Sequence, residues 1–231
     1  MQKIENEILL SSFIEKYKLN QFLSTFHINQ MNLYRISKGE MIYNFGEEIE
    51  EMYFIVEGKV KIFVTTPDDK SMILRFQKAL VLIGEVEFVH NDPAFHSVEA
   101  STECWAIGLS YQLLRENLKD NTGFLQFLLE EIAYKFRTRT SALSINVLYP
   151  VEVRFASYLL SVLTKETGAF QEEMGQSSLS EIAEMVGTSY RHLNRIIQKM
   201  CAEGTIERKN GSIHILNLER LKELAKGNIY E

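Results

Sequence analysis

The stretch from residue 178 to residue 216 constrains the fold of this chain more tightly than any other. It is SLSEIAEMVGTSYRHLNRIIQKMCAEGTIERKNGSIHIL, and its Ser178 and Glu181 have the spacing of a capping box, in which each side chain accepts a backbone amide at a helix start. Gly187 supplies a sharp turn, and Ser189 offers a hydroxyl cap to a second helix. The stretch therefore predicts two short helices joined by a tight turn.

The second predicted helix has one apolar face and one polar, basic face. Its apolar residues recur at steps of three and four, which places them on the buried side. Its polar residues cluster in the first turns, as in helices that enter the DNA major groove. The apolar positions are Leu193, Ile196, Ile197 and Met200, and the outer positions are Tyr190, Arg191, Asn194 and Arg195.

A β-hairpin is predicted directly after that helix. The segment TIERKNGSIHIL, residues 205–216, places two β-rich runs around Asn210-Gly211, a dipeptide that favours a type I′ turn because both turn positions need positive φ. Helix, turn, helix and hairpin in this order predict a winged helix-turn-helix. The ordered set predicts DNA binding more strongly than a helix-turn-helix pattern alone.

Charge is distributed unevenly along the chain. The whole sequence has a formal net charge of −6 at pH 7, but residues 188–211 hold five basic residues against Glu203 and Glu207, a local net charge of +3. Because neutralisation of phosphate depends on local cations, the acidic average does not exclude DNA as a partner. A solvated helix face with several basic side chains is the alternative that charge alone leaves open.

The polar residues of this segment have expected roles on double-stranded DNA. The guanidinium groups of Arg191 and Arg195 can bond guanine O6 and N7 bidentately, and Asn194 can bond adenine or a phosphate. Ser189, Tyr190 and Lys199 are expected at phosphates, where contacts fix the register. A solvated side chain is the alternative for each of them. The predicted DNA-binding set is Ser178, Thr188, Ser189, Tyr190, Arg191, Asn194, Arg195 and Lys199.

The N-terminal half changes from a helical to a β-rich pattern. Residues 3–26 mix apolar and charged residues at helical spacing. From about Met31 to Phe88, short β-rich runs alternate with glycines and with the turn sequence TPDDK. Runs of this length and spacing predict a small antiparallel barrel or roll, with its last strands in residues 97–110.

A long helix is predicted after the roll. Its apolar residues step by fours and threes, apart from a break at Arg139 and Thr140, and this favours packing against a partner helix. Packing on its own barrel is the alternative. Pro150 is expected to end or bend the helix, because it disfavours helical geometry in the preceding residue. The apolar row is Leu125, Leu129, Ile132, Phe136, Leu143 and Val147.

These patterns divide the chain into three predicted parts. Residues 1–119 form an N-terminal helix and β-roll, residues 120–147 the long helix, and residues 148–231 the winged helix-turn-helix domain. The last domain opens with a further helix that is expected to end at Gly168. The predicted fold class is α+β.

Cysteine usage and hydropathy exclude several classes of protein. Cys104 and Cys201 are the only cysteines, and they form neither a zinc framework nor an iron–sulfur ligand set. A protein of the reducing cytoplasm is expected, with Cys104 as a small buried residue. No apolar run approaches the roughly 20 residues that span a bilayer, and no secretory segment opens the chain. Neither a membrane nor a resident cofactor is therefore expected.

One group of possible metal ligands leaves a second function open. Residues 85–96, EVEFVHNDPAFH, place Glu85, Glu87, His90, Asp92 and His96 in one turn region. No HxH or HxxxH pair occurs, and the NDP sequence at 91–93 has the composition of a polar turn. The alternative is a metal-dependent, cupin-like protein with an appended nucleic-acid-binding module. No nucleophile and base are recognisable, so an enzyme is not expected.

In this order, the roll, the long helix and the winged module resemble the cyclic-AMP receptor protein (Crp/Fnr) family of bacterial transcription regulators. The resemblance covers nearly the whole chain and rests on KGEMIYNFGEEIEEMYFIVEGKVKIF, on Gly84-Glu85 and on SEIAEMVGTSYRHLNRIIQKM. The GTSYRHL sequence is most similar to the YeiL-like branch. The resemblance implies a cyclic-nucleotide-binding-domain-like roll, a homodimer joined through the long helix, a palindromic DNA site and contact with RNA polymerase.

The sequence departs from the family pattern at the effector site. Relatives that bind cyclic AMP hold its ribose with the glutamate of a Gly-Glu step and its phosphate with an Arg-Ser pair, but Ala94-Phe95 stand in place of that pair. Without a guanidinium, a buried phosphate would lose its charge-assisted bonds. Cyclic AMP is therefore not the expected ligand, although cyclic-nucleotide sensing stays open as an alternative. The candidate effector residues are Gly84, Glu85, Phe95, His96 and Ser97.

Two further expectations follow from these departures. The roll is either a sensor of an unidentified ligand or stress, or a constitutive scaffold. Tyr190 and Arg191 stand where the family often has Arg and Glu, whereas Arg195 keeps its place. The DNA sequence that the cyclic-AMP receptor prefers is therefore not expected to be the preferred sequence of this chain.

Overall fold

The computed structural model describes residues 1–23, 28–65, 68, 71–118, 121–165, 178–209 and 212–230. The chain divides into two compact units, Met1–Tyr134 and Lys135–Glu231. The expected helix end at Gly168 and the Asn210-Gly211 turn lie outside the described residues, as does most of the TPDDK turn. The three-part division of the sequence stays a prediction.

The first unit is built on antiparallel sheets. The described strands are β1 (Gln2–Ile4), β2 (Asn32–Ile36), β3 (Met41–Tyr43), β4 (Glu51–Glu57), β5 (Lys59–Thr65), β6 (Ser71–Lys78), β7 (Val81–Ile83), β8 (Ser97–Ala100) and β9 (Cys104–Ser110). One sheet has the order β1-β2-β9-β4-β7, and the other has the order β3-β8-β5-β6. Neighbouring strands run antiparallel throughout. The predicted antiparallel roll is confirmed.

The two sheets enclose one apolar core, and helices cover the other face of the five-stranded sheet. Alternate residues of β4 point to opposite faces. Tyr53 and Ile55 join the core between the sheets, whereas Met52 and Phe54 join the core under the helices. The helices are α1 (Glu7–Lys16), α2 (Asn20–Leu23), α3 (Glu85–His90), α4 (Tyr111–Leu118) and α5 (Thr122–Leu148), with a 3₁₀ turn at Ile28–Gln30.

The N-terminal segment is not the continuous helix that its pattern predicts. β1 pairs with β2, with Lys3 opposite Tyr34, so the prediction was wrong for the first residues. The helix begins only after Asn6, whose side chain accepts the Leu9 amide at 2.9 Å. Lys18, with φ of 54°, then separates α1 from α2. Strand pairing at the sheet edge overrides the local helical spacing here.

A short helix replaces the expected end of the β-rich region. Glu85 to His90 form α3, whereas the pattern predicted a β run to Phe88 followed by a turn region. The helix begins after Gly84, with φ of 89°, and ends at Asn91, with φ of 59°. Residues with a left-handed backbone conformation end both strands and helices. The short apolar–polar alternation between them fits the period of a strand as well as that of a helix. The 85–96 turn region is thus correct only after His90.

The second unit contains the end of α5 and the predicted C-terminal elements. α5 ends two residues before Pro150, as predicted. α6 packs against α9 and contacts α8, and α8 packs against α7 and β10. No helix in the described part of the chain is long and apolar enough to cross a membrane. The elements are α6 (Val151–Lys165), α7 (Leu179–Met185), α8 (Tyr190–Ala202), β10 (Ile206–Lys209), β11 (Ser212–Ile215) and α9 (Leu218–Ala225).

Candidate nucleic-acid interface

Local chemistry fixes the turn between the two helices α7 and α8 and the start of each helix. The Glu181 amide donates to the Ser178 hydroxyl at 3.2 Å, and the Ser178 amide donates to the Glu181 carboxylate at 2.9 Å. The predicted capping box is therefore confirmed. Gly187 in the turn has φ of 64°, and the Ser189 hydroxyl caps α8 by accepting the His192 amide at 3.2 Å.

Arg154 braces the turn from α6. Its Nη1 donates to the carbonyl of Gly187 and to the carbonyl of Asn146 in the last turn of α5, each at 3.4 Å. A Cβ at Gly187 would lie 3.0 Å from that same nitrogen. The turn is therefore held by a side chain more than thirty residues away in sequence, which the local pattern did not reveal.

The buried and exposed faces of α8 match their predictions. Its apolar residues Leu193, Ile196, Ile197 and Met200 are all buried, which anchors one side of the helix in the core. Tyr190 is 51% exposed, and Arg191 and Arg195 are exposed. The first turn of α8 carries no acidic residue. A cationic face thus projects from the side of α8 that faces away from the core.

Arg191 and Arg195 supply the available positive charge of this face. In the part of the chain that the structure describes, neither guanidinium has an ion pair or a hydrogen bond. Both can therefore meet an external acceptor without first breaking an internal bond. This is the state that bidentate contact with a guanine edge or a phosphate requires.

The other predicted DNA-binding residues have internal contacts. The Ser178 and Ser189 hydroxyls are used in helix caps, and the Thr188 hydroxyl lies 3.4 Å from His192 Nδ1. Asn194 is half-buried, and its Oδ1 accepts from Arg208 Nη1 at 3.4 Å. The amide nitrogen of Asn194 is thereby turned away from Arg208.

Lys199 is held by acidic residues. Its Nζ lies 2.9 Å from Glu152 Oε1 and 3.8 Å from Glu203 Oε1. The hydrogen bond with Glu152 raises the pKa of Lys199, and its Coulomb attraction adds to the effect. The sequence pattern predicted Lys199 as a phosphate contact. It did not indicate the pairing with Glu152, which lies 47 residues away.

The predicted hairpin forms beside α8. β10 and β11 pair antiparallel, with Arg208 opposite Ile213 and Lys209 opposite Ser212. Arg208 and Lys209 are both exposed. From the sequence, Arg208 and Lys209 were expected only to add to the local positive charge. In the structure, Arg208 also contacts Asn194 on the outer face of α8. Arg208 shares a face of β10 with the buried Ile206, two residues before it, so strand alternation did not indicate its exposure.

Two of the candidate effector residues lie at the start of α3. Gly84 precedes the helix, and the Tyr111 hydroxyl donates to its carbonyl at 2.6 Å. Glu85 and Glu87 are buried. Burial raises the pKa of Tyr111, and the carboxylates of Glu87 and Glu85 raise it further. This corner of the roll therefore holds two buried carboxylates, and the Arg115 guanidinium, which donates to Asn91 Oδ1 at 2.9 Å, partly offsets their effect on Tyr111.

The other three candidate effector residues lie beside β3. Phe95 is 42% exposed, and its ring centroid is 4.4 Å from that of His96. His96 is buried with Nε2 at 3.3 Å from the Tyr43 hydroxyl. The Ser97 hydroxyl accepts the Phe45 amide at 3.0 Å. Ala94, which the sequence pattern predicted at the position of the family arginine, is buried and apolar.

A cleft of about 470 Å³ opens elsewhere on the roll. None of the five candidate effector residues lines it. At its wall, the Glu51 carboxylate accepts from Tyr34 Oη at 2.7 Å and from Asn32 Nδ2 at 2.6 Å. Its lining is acidic and aromatic, with Glu47, Glu48, Glu50, Glu51, Tyr34, Tyr43 and Tyr53 beside Ile42, Ile49 and Ser110.

The described residues give the metal hypothesis no geometric support. Among them, no group of three His, Cys, Asp or Glu side chains could hold a metal ion. His90 and Asp92 approach only to 4.0 Å, and both are exposed. Cys104 is buried with its thiol donating to the Lys59 carbonyl at 3.3 Å, and burial raises its pKa, which disfavours a reactive thiolate.

Two family models match the chain. The model of the cyclic nucleotide-binding domain matches residues 34–121. The model of the Crp-like helix-turn-helix domain matches residues 153–224. Together the two matches cover most of the sequence, and the second includes all of α7, α8 and the hairpin.

Known proteins of similar sequence and fold include transcription regulators. "Regulatory protein YeiL" of Escherichia coli O157:H7 is 26% identical over 180 residues, 78% of this chain and 79% of that protein. The CRP-like cAMP-activated global transcriptional regulator of Mycobacterium tuberculosis H37Rv is 27% identical over 193 residues, 82% of this chain and 86% of that protein. A CRP-family transcriptional regulator from Thermus thermophilus superposes with a TM-score of 0.71 at 23% identity, over 86% of this chain and 98% of that one.

Proposed function

Because the chain belongs to the Crp/Fnr family of transcription regulators, we propose that it binds a palindromic promoter site as a homodimer. The observation that carries the proposal is the pair Arg191 and Arg195, exposed and without partners among the described residues, on a helix whose other side is locked in the core. Their guanidinium groups are the proposed readers of base edges. Major-groove recognition requires a helix whose axis is fixed and whose outward cationic side chains are free to contact bases.

The remaining residues of the set, apart from Lys199, which is paired with Glu152, are proposed to position the helix on the duplex. Ser189 and Tyr190 stand at the start of α8, where backbone and hydroxyl donors meet phosphates. Thr188 lies in the turn before α8, and Ser178 caps the start of α7. Asn194, oriented by Arg208, presents its amide nitrogen to a base or phosphate acceptor. These contacts would set the register without carrying much sequence information.

The proposed dimer forms through α5. Its exposed apolar residues include Leu129 at 64%, Phe136 at 72% and Val147 at 71%. Monomeric proteins rarely leave such a row of large apolar side chains in water. The steps of three and four along α5 match those of a helix that packs on a second helix, and a second copy of this chain supplies an identical row.

We propose that the roll does not bind cyclic AMP. Residues 84–97 include no lysine or arginine, and they include Glu85, Glu87 and Asp92. A phosphate there would meet carboxylates without a bidentate cation, which is unfavourable in a buried site. Calorimetric titration with cyclic AMP and cyclic GMP should show no binding in the micromolar range. A micromolar dissociation constant for either nucleotide would overturn this part of the proposal.

Contact with RNA polymerase and a location in the cytoplasm belong to the proposal through the family resemblance. A bacterial regulator of transcription must reach the chromosome, which lies in the cytoplasm. No catalytic activity is proposed, since the family is one of regulators.

Selection of bound sequences from random double-stranded DNA tests the proposed function. The wild-type protein should enrich one palindromic sequence. Arg195→Ala should lose about 1–3 kcal/mol of discrimination at one base pair of each half-site, because one bidentate contact is removed. Arg35→Ala, which removes an exposed arginine paired with Glu103 in the first unit, is the matched control and should leave selectivity unchanged. Unchanged selectivity in Arg195→Ala would refute its role.

A further inference from the structure

The last residue of the basic row on α8 is already paired with acidic side chains of the same chain. Arg191, Arg195 and Lys199 follow one another at steps of four, so they lie along one side of the helix. The two arginines have no partner in the described chain, but Lys199 Nζ lies 2.9 Å and 3.2 Å from the two carboxylate oxygens of Glu152. Glu203, one turn further along, stands 3.8 Å from the same nitrogen.

The charges around Lys199 favour its retention in this pair. Glu152 comes from the first turn of α6, and its side chain is 26% exposed. Glu152 and Glu203 raise the pKa of Lys199 by more than the positive charge of Arg220 lowers it. The ammonium group is therefore balanced by two carboxylates before any DNA arrives.

A lysine paired in this way contributes less to phosphate binding than an unpaired lysine would. Each phosphate that a cation neutralises releases counterions, and sequence-independent affinity grows with the number of such contacts. For Lys199 to reach a phosphate, it must leave Glu152 and Glu203, whose unpaired carboxylates would then face the anionic backbone. The acidic partners of Lys199 thus oppose phosphate contact in two ways. They occupy its ammonium group, and they place negative charge near the DNA backbone.

We infer that Glu152 limits the sequence-independent affinity of this protein for DNA by withholding Lys199 from the phosphate backbone. This inference rests on the proposed DNA-binding function and assigns Glu152 as a positioning residue of the same interface. Phosphate contacts carry no sequence information, and a genome offers a vast excess of non-specific sites. When an intramolecular carboxylate occupies a cation that would otherwise bind phosphate, the sequence-independent part of the binding free energy falls. The arginines that read bases therefore contribute a larger share of it.

Fluorescence anisotropy of the full-length protein on a duplex without the selected site tests the inference. Glu152→Gln should tighten this binding by roughly three- to tenfold at about 0.1 M salt for each subunit that contacts the duplex, the gain that one more phosphate contact supplies. The slope of log affinity against log salt should steepen by about 0.9 per contacting subunit, or about 1.8 for the proposed dimer. Glu152→Gln should give no gain when Lys199→Gln is also present, because the released cation is then missing.

Glu219→Gln is the matched control. It also removes one exposed carboxylate from a lysine, since Glu219 lies 2.7 Å from Lys222 on α9. An equal gain in Glu219→Gln would overturn the inference in favour of a general charge effect, and so would an unchanged affinity in Glu152→Gln. In either case the selected palindrome would still bind the wild-type protein, whereas failure of the proposed function would leave the wild-type protein without a preferred sequence.

Discussion

At the scale of single residues, one glycine decides how two strands of the roll are joined. Gly58 lies between β4 and β5 with φ of 94°, a conformation that side chains with a Cβ rarely adopt. A Cβ at this position would lie 2.4 Å from the Glu103 carbonyl oxygen and 2.6 Å from Cys104 Sγ. The junction therefore requires glycine for its backbone angle and also for lack of space.

Alanine substitutions separate these two requirements. Gly39 has φ of 82° but no atom within 4 Å of an added Cβ, so Gly39→Ala should lower the free energy of unfolding by about 1 kcal/mol through backbone strain alone. Gly58→Ala adds a clash with backbone and with a buried sulfur, and should cost about 3 kcal/mol or more. Urea unfolding followed by fluorescence of the single tryptophan, Trp105 in β9, measures both losses. Equal losses would contradict the steric argument.

At the scale of elements, sequence predicted best where a few neighbouring residues determine the structure. The α7–turn–α8 segment follows from the Ser178–Glu181 box, from Gly187 and from the Ser189 cap, all of which act within three or four residues. The buried face of α8 follows from helical spacing. The end of α5 follows from Pro150, whose effect on the preceding residue is steric and local.

Elements that depend on distant partners were predicted less well. β1 exists because an edge of the five-stranded sheet pairs with it, and its own sequence fits a helix equally well. α3 exists because left-handed residues enclose six residues whose alternation is compatible with either period. Long-range pairing decides such cases, and no window of sequence contains it.

The same distinction applies to the candidate interface. Exposure of Arg191 and Arg195 follows from their place on the helix wheel, whereas the capture of Lys199 depends on Glu152 in another helix. The Asn194–Arg208 contact likewise joins a helix to a strand. Sequence therefore indicated which side chains face outward, but not which of them are free to bind.

At the scale of the whole molecule, a net charge of −6 opposes non-specific association with DNA, while the local charge of +3 at residues 188–211 favours contact there. Two such surfaces on a homodimer would bind two half-sites. Because binding of the second surface is then effectively intramolecular, affinity for a palindrome should depend steeply on the dimer. The apolar row of α5 is therefore the place where one substitution should alter both the assembly and DNA binding.

Phe136→Glu should dissociate the proposed dimer. The substitution removes an apolar side chain from each copy, at about 2 kcal/mol per side chain, and brings two like charges close to the seam, so the dissociation constant should rise by about three orders of magnitude. Sedimentation equilibrium should then give a mass near 26.8 kDa instead of twice that value. Ile8→Glu, at an isoleucine that is 85% exposed in α1, introduces the same charge off the row and should keep the dimer. A Phe136→Glu protein that remained dimeric and bound the palindrome with wild-type affinity would place the subunit contact elsewhere than α5.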